Sequence, residues 1–371
     1  MSGTLAGPVE AAVCLDDLRA VAAATTPADA WNFVEGGSGG ELTMRENGRA
    51  FDRIRLLPRV AVDVAGRTAR TRLLGLPVPV PLAVAPMAYQ TWLHPDGEVA
   101  AASAAAVAGV PFVVSMMASR TVEEVAATGA ATVMQLYWLR DRGLFRELVG
   151  RAEAAGCVAL MLTVDVPLLG RRLRDLRGGL VRPANVVAAN LGRAGGGLDA
   201  VGGAGTSEVA AHTGVLFDPS LSWADVAWIR SVTRLPLVLK GILDPDDAAL
   251  AVAAGVDTVV VSNHGGRQLD GAVATAVALP AVVDAVDGRC EVLVDSGVRG
   301  GVDVLKALAL GATGVLVGRP LLWGLAAGGA AGAARVLDLI GEELHEAMAL
   351  AGCPDVDSAR RLRTSVAGGD R

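Results

Sequence analysis

The feature that most constrains the fold of this chain is a repeated alternation between short apolar runs and alanine-rich segments of helical periodicity. Eight runs rich in Val, Leu and Ile are predicted as strands, near residues 82–86, 111–115, 132–137, 158–164, 236–240, 258–262, 291–296 and 314–318. Continuously apolar strands that alternate with helices indicate a parallel sheet covered on both faces. Eight such units predict an α/β protein with a (β/α)8 TIM barrel. The alternative is an open doubly wound sheet, but the GxGxxG loop of its dinucleotide-binding form does not follow the first strand.

The rest of the chain is arranged around this repeat. We predict a single domain over residues 1–371, with an N-terminal helical extension (1–75), the barrel (76–335) and C-terminal helices (336–371). The gap between the fourth and fifth strands is too long for one helix, and its residues 185–214 are rich in Gly and Ala. We therefore predict a long mobile loop over residues 177–216, which could act as a lid over the active-site face.

Composition and charge weigh against several classes of function. The net charge is −6 and no Lys/Arg cluster carries interleaved aromatic residues, which argues against a nucleic-acid partner. No basic leader precedes a long apolar stretch, and no run reaches the roughly 20 strongly apolar residues of a membrane span. We therefore expect a cytoplasmic protein without a membrane partner. Four widely spaced cysteines without a CxxC pair predict free thiols and no metal site.

Lysine is almost absent from the chain. Of 33 basic residues only Lys240 and Lys306 are lysine. Lys306 lies on a predicted helix, where we expect a solvated surface charge. Lys240 ends an apolar strand, and a compact ammonium group of adjustable pKa is expected to have a role there, with an incidental strand-end charge as the alternative.

Polar or backbone-exposing residues follow the predicted strands, at the ends where the chemistry of a (β/α)8 barrel collects. They are Pro86, Met87, Ala88, Ser115, Gln135, Tyr137, Thr163, Asp165, Lys240, Ser262, His264, Asp295, Gly318 and Arg319. Singly, such residues could satisfy local backbone groups, whereas together they indicate one cavity. His264 is distinctive because glycines leave its ring uncrowded in "VVSNHGGRQLDG" (260–271), with Arg267 three residues later.

Two loops late in the chain indicate a phosphate site. The segments "DSGVRGG" (295–301) and "GRP" (318–320) each pair glycine with arginine just before a predicted helix. Loops after the seventh and eighth barrel strands commonly bind phosphate through backbone N–H groups at a helix N-terminus. Glycine permits close approach of the backbone, and arginine adds a fork of donors. The sequence thus predicts a phosphate-bearing ligand beside His264 and Lys240.

With these residues assembled, the chain resembles a known family. The segment "SNHGGRQLD" resembles the active-site motif of the FMN-dependent 2-hydroxy-acid oxidases and dehydrogenases, such as glycolate oxidase, lactate oxidase and mandelate dehydrogenase. The segments "LAVAPMA", "QLY", "LTVDVPLLGRR", "VLKG", "DSGVR" and "VGRP" follow in the family's order over nearly the whole chain. "HPDGE" and "GRRLRDLR" are similar to actinobacterial hydroxymandelate oxidases. The resemblance implies FMN as the cofactor and a homo-oligomer, usually a tetramer.

The resemblance also implies roles for the residues. The cofactor-binding set would be Pro86, Met87, Ala88, Ser115, Gln135, Thr163, Lys240, Ser262, Asp295, Ser296, Gly297, Arg299, Gly318 and Arg319. His264 would be the general base, oriented by Asp165, as in a catalytic triad. Arg172 and Arg267 would clamp the substrate carboxylate, and Tyr137 would hydrogen-bond its hydroxyl or the nascent ketone. The sequence does not decide whether hydrogen leaves carbon as a hydride or as a proton.

Three positions bear on substrate and acceptor, and a fourth bears on the phosphate loop. Phe33 stands where glycolate oxidases have a tyrosine, and Met117 where they have a bulky aromatic residue, so both favour an aryl substrate. Ser296 replaces the family's usual glycine, which we expect the phosphate loop to tolerate. Ala88 is typical of oxidases that use O2.

The expected reaction is FMN-dependent oxidation of an aromatic 2-hydroxy acid, such as (S)-mandelate or 4-hydroxymandelate. The products would be the 2-oxo acid and H2O2. Several alternatives stay open. The acceptor could be a quinone or a protein, or the substrate could be lactate-like, a long-chain 2-hydroxy acid or a modified peptide. Outside this chemistry, the chain could be a flavin-binding barrel without turnover or a phosphate-sugar isomerase.

Overall fold

Eight parallel strands close into a barrel. The computed structural model describes residues 7–178, 180, 182–192 and 207–367. The barrel strands, in chain order, are β4 (Leu82–Val84), β5 (Phe112–Ser115), β6 (Thr132–Leu136), β7 (Ala159–Thr163), β8 (Leu237–Ile242), β9 (Thr258–Val261), β10 (Glu291–Val294) and β11 (Gly314–Val317). They are hydrogen-bonded in the order β10-β11-β4-β5-β6-β7-β8-β9, with closure between β10 and β9. All eight predicted strands and the (β/α)8 barrel are confirmed.

Helices cover the outside of the barrel. Those between or after the barrel strands are α4 (Gly97–Ala108), α5 (Val122–Ala126), α6 (Arg142–Ala154), α7 (Leu173–Gly178), α8 (Glu208–Leu216), α9 (Trp223–Val232), α10 (Pro245–Ala253), α11 (Thr275–Val286), α12 (Gly301–Ala309), α13 (Arg319–Ala351) and α14 (Val356–Arg360). Capping groups define several helix starts: the side chains of Thr121, Asp141 and Asp244 accept backbone N–H groups at the starts of α5, α6 and α10.

The strands are buried on both faces, which accounts for their continuous apolar sequence. Inward-facing residues such as Val113, Met161 and Val260 fill the barrel interior, while the alternate residues pack against the helices. The hairpin of β2 (Thr71–Leu73) and β3 (Leu76–Val78) adds Leu73 and Val78 to the interior cluster. Because this hairpin contacts the N-terminal ends of β10 and β11, it closes the end of the barrel opposite the carboxyl ends of the strands.

The N-terminal segment forms α1 (Leu15–Thr25), α2 (Ala28–Glu35), α3 (Leu42–Arg53) and β1 (Ile54–Leu56). Strand β1 pairs antiparallel with β12 (Thr364–Val366), so the segment that follows α3 is hydrogen-bonded to the last strand of the described chain. This pairing joins distant segments and was not predicted from the sequence.

Lys306 is not the solvated surface charge that was expected, and that prediction is wrong. Its Nζ donates to the backbone oxygen of Phe51 at 2.9 Å and lies 3.4 Å from Asp303 Oδ1. Only 12% of the side chain is exposed. The reason is that the last turn of α3 lies beside α12, so the backbone oxygen of Phe51 is within reach of the Lys306 side chain.

The predicted loop after the fourth barrel strand contains more structure than expected. Helix α7 opens it, a 3-10 turn spans Ala189–Leu191, and helix α8 leads back to the barrel. The predicted mobility of residues 177–216 falls partly on residues 179, 181 and 193–206, which lie outside the described residues.

Helix α13 is long and apolar enough to cross a membrane by length and composition, and no other helix in the described ranges is. Most of its apolar window is buried inside the protein, as in a core helix. It is also kinked, because Gly328 and Gly329 have non-helical backbone angles. The kink folds the helix back so that Gly324 and Gly332 touch: a Cβ on Gly332 would lie 1.9 Å from the carbonyl oxygen of Gly324.

We predict that Gly332→Ala lowers the thermal unfolding midpoint, because the added methyl group would collide with backbone that cannot move aside. The expected loss is about 1–3 kcal/mol. The matched control is Gly150→Ala in α6, where a Cβ would meet nothing within 4 Å. That change should be neutral or stabilising by up to about 1 kcal/mol. Equal midpoints for the two variants would contradict the predicted backbone contact.

Candidate active site

A cleft of about 1200 Å³, including its open mouth, lies at the carboxyl ends of the barrel strands. The structure brings most of the predicted site residues into its wall: Phe33, Pro86, Met87, Ala88, Ser115, Met117, Tyr137, Thr163, Arg172, Lys240, His264, Arg267, Asp295, Ser296, Gly297, Arg299, Gly318 and Arg319. Parallel strands end at one rim, so side chains far apart in sequence converge there. Their assembly in one cavity agrees with the sequence analysis.

Three predicted residues lie behind the wall of the cleft and hold a residue that lines it. Gln135 is fully buried, and its Nε2 donates to Thr163 Oγ1 at 3.0 Å. Ser262 is fully buried and accepts from Lys240 Nζ at 2.8 Å. Asp165 Oδ1 lies 2.9 Å from His264 Nδ1. These contacts make them supports for the surface of the site.

His264 presents one ring nitrogen to the cleft and the other to Asp165. Burial lowers the pKa of His264 below its usual 6.5, and the Asp165 carboxylate offsets this only in part. Burial also acts against the charged form of Asp165, but His264 and Lys240 hold the pKa of that carboxyl below its usual value. The pair is therefore an anionic carboxylate and a neutral imidazole near pH 7. Asp165 Oδ1 then accepts a hydrogen bond from the Nδ1–H group of His264, and the lone pair of Nε2 is available to take a proton.

A glycine allows Asp165 to approach strand β8. Gly241 follows Lys240 at a break in the strand register, with φ at 115°. A Cβ at Gly241 would lie 2.7 Å from Asp165 Cβ. The strand therefore needs glycine here, because any side chain would displace the carboxylate that orients His264.

Lys240 is held as a buried cation. Its Nζ lies 3.1 Å from Asp295 Oδ2, and the exposed fractions of the two side chains are 5% and 9%. Burial acts against its charge, yet Asp295 and Asp165 together raise the pKa of Lys240. A charged ammonium group therefore stands at the rim beside the His264 loop.

Four arginines of the cleft lack a carboxylate partner among the described residues. Arg267 donates to the backbone oxygens of Phe33 and Gly36, both at 2.7 Å. Arg319 likewise donates to backbone oxygens, as does Arg299, which is exposed in the cleft. Arg172 is 6% exposed, and its Nε has no hydrogen-bond partner. Burial, Arg172 and Arg319 lower the pKa of Arg267, and the nearby Asp175 carboxyl offsets this only in part.

Tyr137 is placed to donate a hydrogen bond into the cleft. Burial raises the pKa of its phenol above the usual 10.0, so it keeps its proton at any physiological pH. Its ring stacks on Phe217 at 4.5 Å between centroids and lies 6.5 Å from the ring of His264, in nearly parallel planes.

Sequence reasoning missed much of the apolar wall. Tyr89, Val166, Leu169, Val209, Thr213 and Phe217 line the cleft and were not predicted. The sequence held a signal for three of them at the end of the predicted loop and just beyond it, since Val209, Thr213 and Phe217 are spaced by four residues, as on one face of a helix. Helix α8 carries that face into the cleft.

The residues of the cleft fit FMN, whose phosphate is an anion and whose ring is flat and largely apolar. Unpaired arginines and the start of α13 at Arg319 are suited to the phosphate. Gly297 has φ at 113°, and a Cβ on it would lie 2.6 Å from the backbone oxygen of Asn47, so this turn requires glycine. Met87, Ala88 and Ser115 would face the ring. Fold and site together define a flavin-binding (β/α)8 enzyme.

Comparison with known proteins agrees with this class. The FMN-dependent dehydrogenase family matches residues 22–365. The chain is 49% identical to a 4-hydroxymandelate oxidase of Amycolatopsis orientalis, over 95% of this chain and 98% of that protein. It is 48% identical to an L-lactate oxidase of Nostoc sp. (89% and 92% covered) and 42% identical to a glycolate oxidase of Spinacia oleracea (94% of each).

A solved structure gives the same result. The crystal structure of a mandelate oxidase with (S)-4-hydroxymandelic acid superposes with a TM-score of 0.93 at 49% identity, covering 96% of this chain and 99% of that one. The chain belongs to the FMN-dependent dehydrogenase family. The predicted family, FMN as the cofactor and oxidation of 2-hydroxy acids as the type of reaction are confirmed.

We predict that Asp165→Asn lowers kcat/KM for a 2-hydroxy acid by roughly 10²–10⁴-fold while FMN stays bound. The amide can donate to Nδ1 of His264, which places the ring proton on Nε2, where the lone pair is needed. Steady-state kinetics and the FMN absorbance of the purified variant measure the two effects. Activity within threefold of the unmodified protein would contradict the role of Asp165.

Proposed function

We propose that the chain oxidises an aromatic 2-hydroxy acid, with (S)-mandelate and (S)-4-hydroxymandelate as the best candidates, to the 2-oxo acid. The electrons would pass through FMN to O2 and give H2O2. The observation that carries this proposal is that His264, bound to Asp165, lies in one cleft with two arginines and an apolar wall. The relatives named for 4-hydroxymandelate and mandelate support it.

The charged side of the cleft suits the acid end of such a substrate. Arg172 and Arg267 offer guanidinium donors without a carboxylate partner in the described part of the chain, so a substrate carboxylate would complete their pairing. Tyr137 would donate to the oxygen on C2. His264 would accept a proton through Nε2, from C2 or from the hydroxyl group, and Asp165 would stabilise the resulting imidazolium ion.

FMN supplies the two-electron acceptor and, when reduced, the reaction with O2. The protein contributes a positive charge to the site. Lys240 keeps a positive charge in a buried position, where it stabilises negative charge that develops nearby. Ala88, which is typical of oxidases, supports O2 as the acceptor.

The apolar side of the cleft suits an aryl group. Phe33 is 9% exposed and packs against Trp92 with ring centroids 5.4 Å apart and against Tyr89 at 6.1 Å. Met117 is 4% exposed and lines the same cleft. A short acid such as glycolate would leave this wall without a partner, whereas a phenyl ring would bury apolar surface against it.

The proposal is tested by mixing the FMN-loaded protein without oxygen with (S)-4-hydroxymandelate, (S)-mandelate, L-lactate and glycolate, and then admitting air. Fast bleaching by the two mandelates and rapid return of colour in air would support an aryl 2-hydroxy-acid oxidase. Bleaching without return of colour would indicate that a quinone or a protein, and not O2, is the electron acceptor. Faster bleaching by L-lactate would overturn the aryl assignment, and no bleaching by any acid would overturn the substrate class.

We also propose that the protein works in the cytoplasm as a homo-oligomer, a tetramer as the resemblance implies. Exposed leucines beside the cleft support a contact between copies: Leu168 is 68% and Leu269 is 73% exposed. Gln268 joins their loops, because its Nε2 donates to the backbone oxygen of Leu168 at 2.8 Å. Light scattering should give about four times the chain mass of 37.6 kDa. A monomer would contradict the proposal.

We predict that kcat/KM is constant above neutral pH. At low pH it falls tenfold per pH unit, and the bend between these two parts of the pH profile lies below pH 6.5. His264 must be neutral to accept a proton, and burial lowers its pKa from 6.5. Tyr137 adds no alkaline bend below pH 10, because burial raises its pKa. Initial rates at low substrate concentration measure the profile. As a control, His264→Ala should keep FMN and lose turnover; a bend above 7 would contradict a neutral base.

We predict that Phe33→Tyr raises the kcat/KM of glycolate relative to (S)-mandelate by about 3–10-fold, the value of one added hydrogen bond. The new hydroxyl would lie near the arginines that bind the carboxylate, since Arg267 Cζ is 5.1 Å from the Phe33 ring centroid. It would also make the aryl wall more polar. The ratio comes from steady-state kinetics on both acids. If the ratio of the two kcat/KM values is unchanged, Phe33 does not determine the preferred size of the substrate.

A further inference from the structure

Ser296 adopts a backbone conformation that a residue with a side chain normally avoids. It follows β10, between Asp295 and Gly297, and its φ is 68°. This left-handed region is unfavourable for residues with a Cβ. A strained residue in a site persists only where the surrounding structure holds it. The contacts of its hydroxyl group show what holds it.

The hydroxyl group of Ser296 bridges two loops. It donates to Asp295 Oδ1 at 2.6 Å and accepts from the backbone N–H of Gly265 at 2.8 Å. A serine hydroxyl has one proton and two lone pairs, so both contacts can form together. The other oxygen of Asp295 binds Lys240 at 3.1 Å. Ser296 therefore connects a buried ion pair to the residue that follows His264.

A second serine makes a parallel connection. Ser262 Oγ accepts from Lys240 Nζ at 2.8 Å and from the backbone N–H of His264 at 3.1 Å. The adjacent N–H groups of His264 and Gly265 are thus bound by two hydroxyl groups that both contact the Lys240–Asp295 pair. These two residues have positive φ angles of 59° and 68°. Their backbone is fixed by a closed ring of hydrogen bonds around one ammonium group.

We infer that Ser296 is a positioning residue, whose hydroxyl group joins the Lys240–Asp295 ion pair to the backbone that carries His264. This inference rests on the proposed function. The hydrogen bond from Ser296 neutralises part of the charge on Asp295. Lys240 is consequently drawn less strongly towards Asp295 and keeps more of its positive potential at the base and the flavin.

The charged groups around His264 determine whether loss of the Ser296 hydroxyl raises or lowers the pKa of His264. Asp165 binds its ring, Tyr137 lies against it, and Lys240 and Arg172 add positive charge. Removal of the Ser296 hydroxyl strengthens the hold of Asp295 on Lys240 and weakens the positive potential at the ring. His264 then keeps its proton to higher pH. Reduction of FMN adds negative charge, so the same change lowers the midpoint potential of the bound flavin.

Two variants separate the hydroxyl group from the backbone strain. Ser296→Gly removes both hydrogen bonds and suits the positive φ, so it is expected to fold at least as stably as the unmodified protein. Ser296→Ala removes the same bonds and keeps the Cβ. The matched control is Ser38→Ala: Ser38 is buried, and its hydroxyl donates to the backbone oxygen of Gly266 at 3.3 Å, in the same loop, without contact to the ion pair.

The measurements are the pH profile of kcat/KM with (S)-mandelate and the midpoint potential of the FMN-loaded protein. In both Ser296 variants we expect kcat/KM to fall by roughly tenfold to a hundredfold, the acid bend to move to higher pH and the potential to decrease. Ser38→Ala should match the unmodified protein in bend and potential. Unchanged bend and potential in Ser296→Gly, or the same shifts in Ser38→Ala, would overturn the inference.

The potential separates this inference from the proposed function, because its measurement needs no substrate. If the unmodified protein oxidises none of the acids, the proposed function fails. A lower potential in the Ser296 variants alone would still support the link between Ser296 and Lys240.

Discussion

Closure of the barrel is the constraint on which the site depends. Strand β4 pairs with β5 on one side and with β11 on the other, so the first and last units of the repeat become neighbours. The loop after β4 thus meets the loop after β11, where a Cβ on Gly318 would lie 3.6 Å from Met87 Sδ. Apolar side chains fill the barrel interior, which leaves the rim as the place where a cleft can form.

The rim concentrates positive charge in a protein whose net charge is −6. Asp165 and Asp295 are the carboxylates that support the site, and each is already engaged, by His264 and by Lys240. Arg267, Arg299 and Arg319 donate to neutral backbone oxygens, which hold their direction without a carboxylate partner among the described residues. A cleft of this kind attracts anions over a distance, which suits both the phosphate of FMN and the carboxylate of the proposed substrate.

Strands and strand-end residues could be predicted because both follow from local patterns. Apolar runs mark the strands, and polar residues that can line a site come directly after them. Contacts between segments that are distant in sequence could not be predicted. Lys306 was misjudged because its partner, the backbone oxygen of Phe51, is 255 residues away. The wall formed by Val209 and Phe217 was missed because its helix lies in a Gly/Ala-rich stretch. Nor does the sequence show that Gln135 lies behind the cleft surface, since strand ends supply both lining and supporting side chains.

The backbone around His264, the proposed base, is strained, and the strain has a consequence for the proposed catalysis. His264 has a φ of 59°, in a region that residues with a side chain rarely adopt. Such a conformation is held by neighbours that fix it, here the hydroxyl of Ser262 and the carboxylate of Asp165. A base fixed in this way needs little reorganisation when the substrate arrives. The residues that fix His264 lie on β8 and on the loops after β7, β9 and β10, whereas much of the apolar wall lies on α2 and α8.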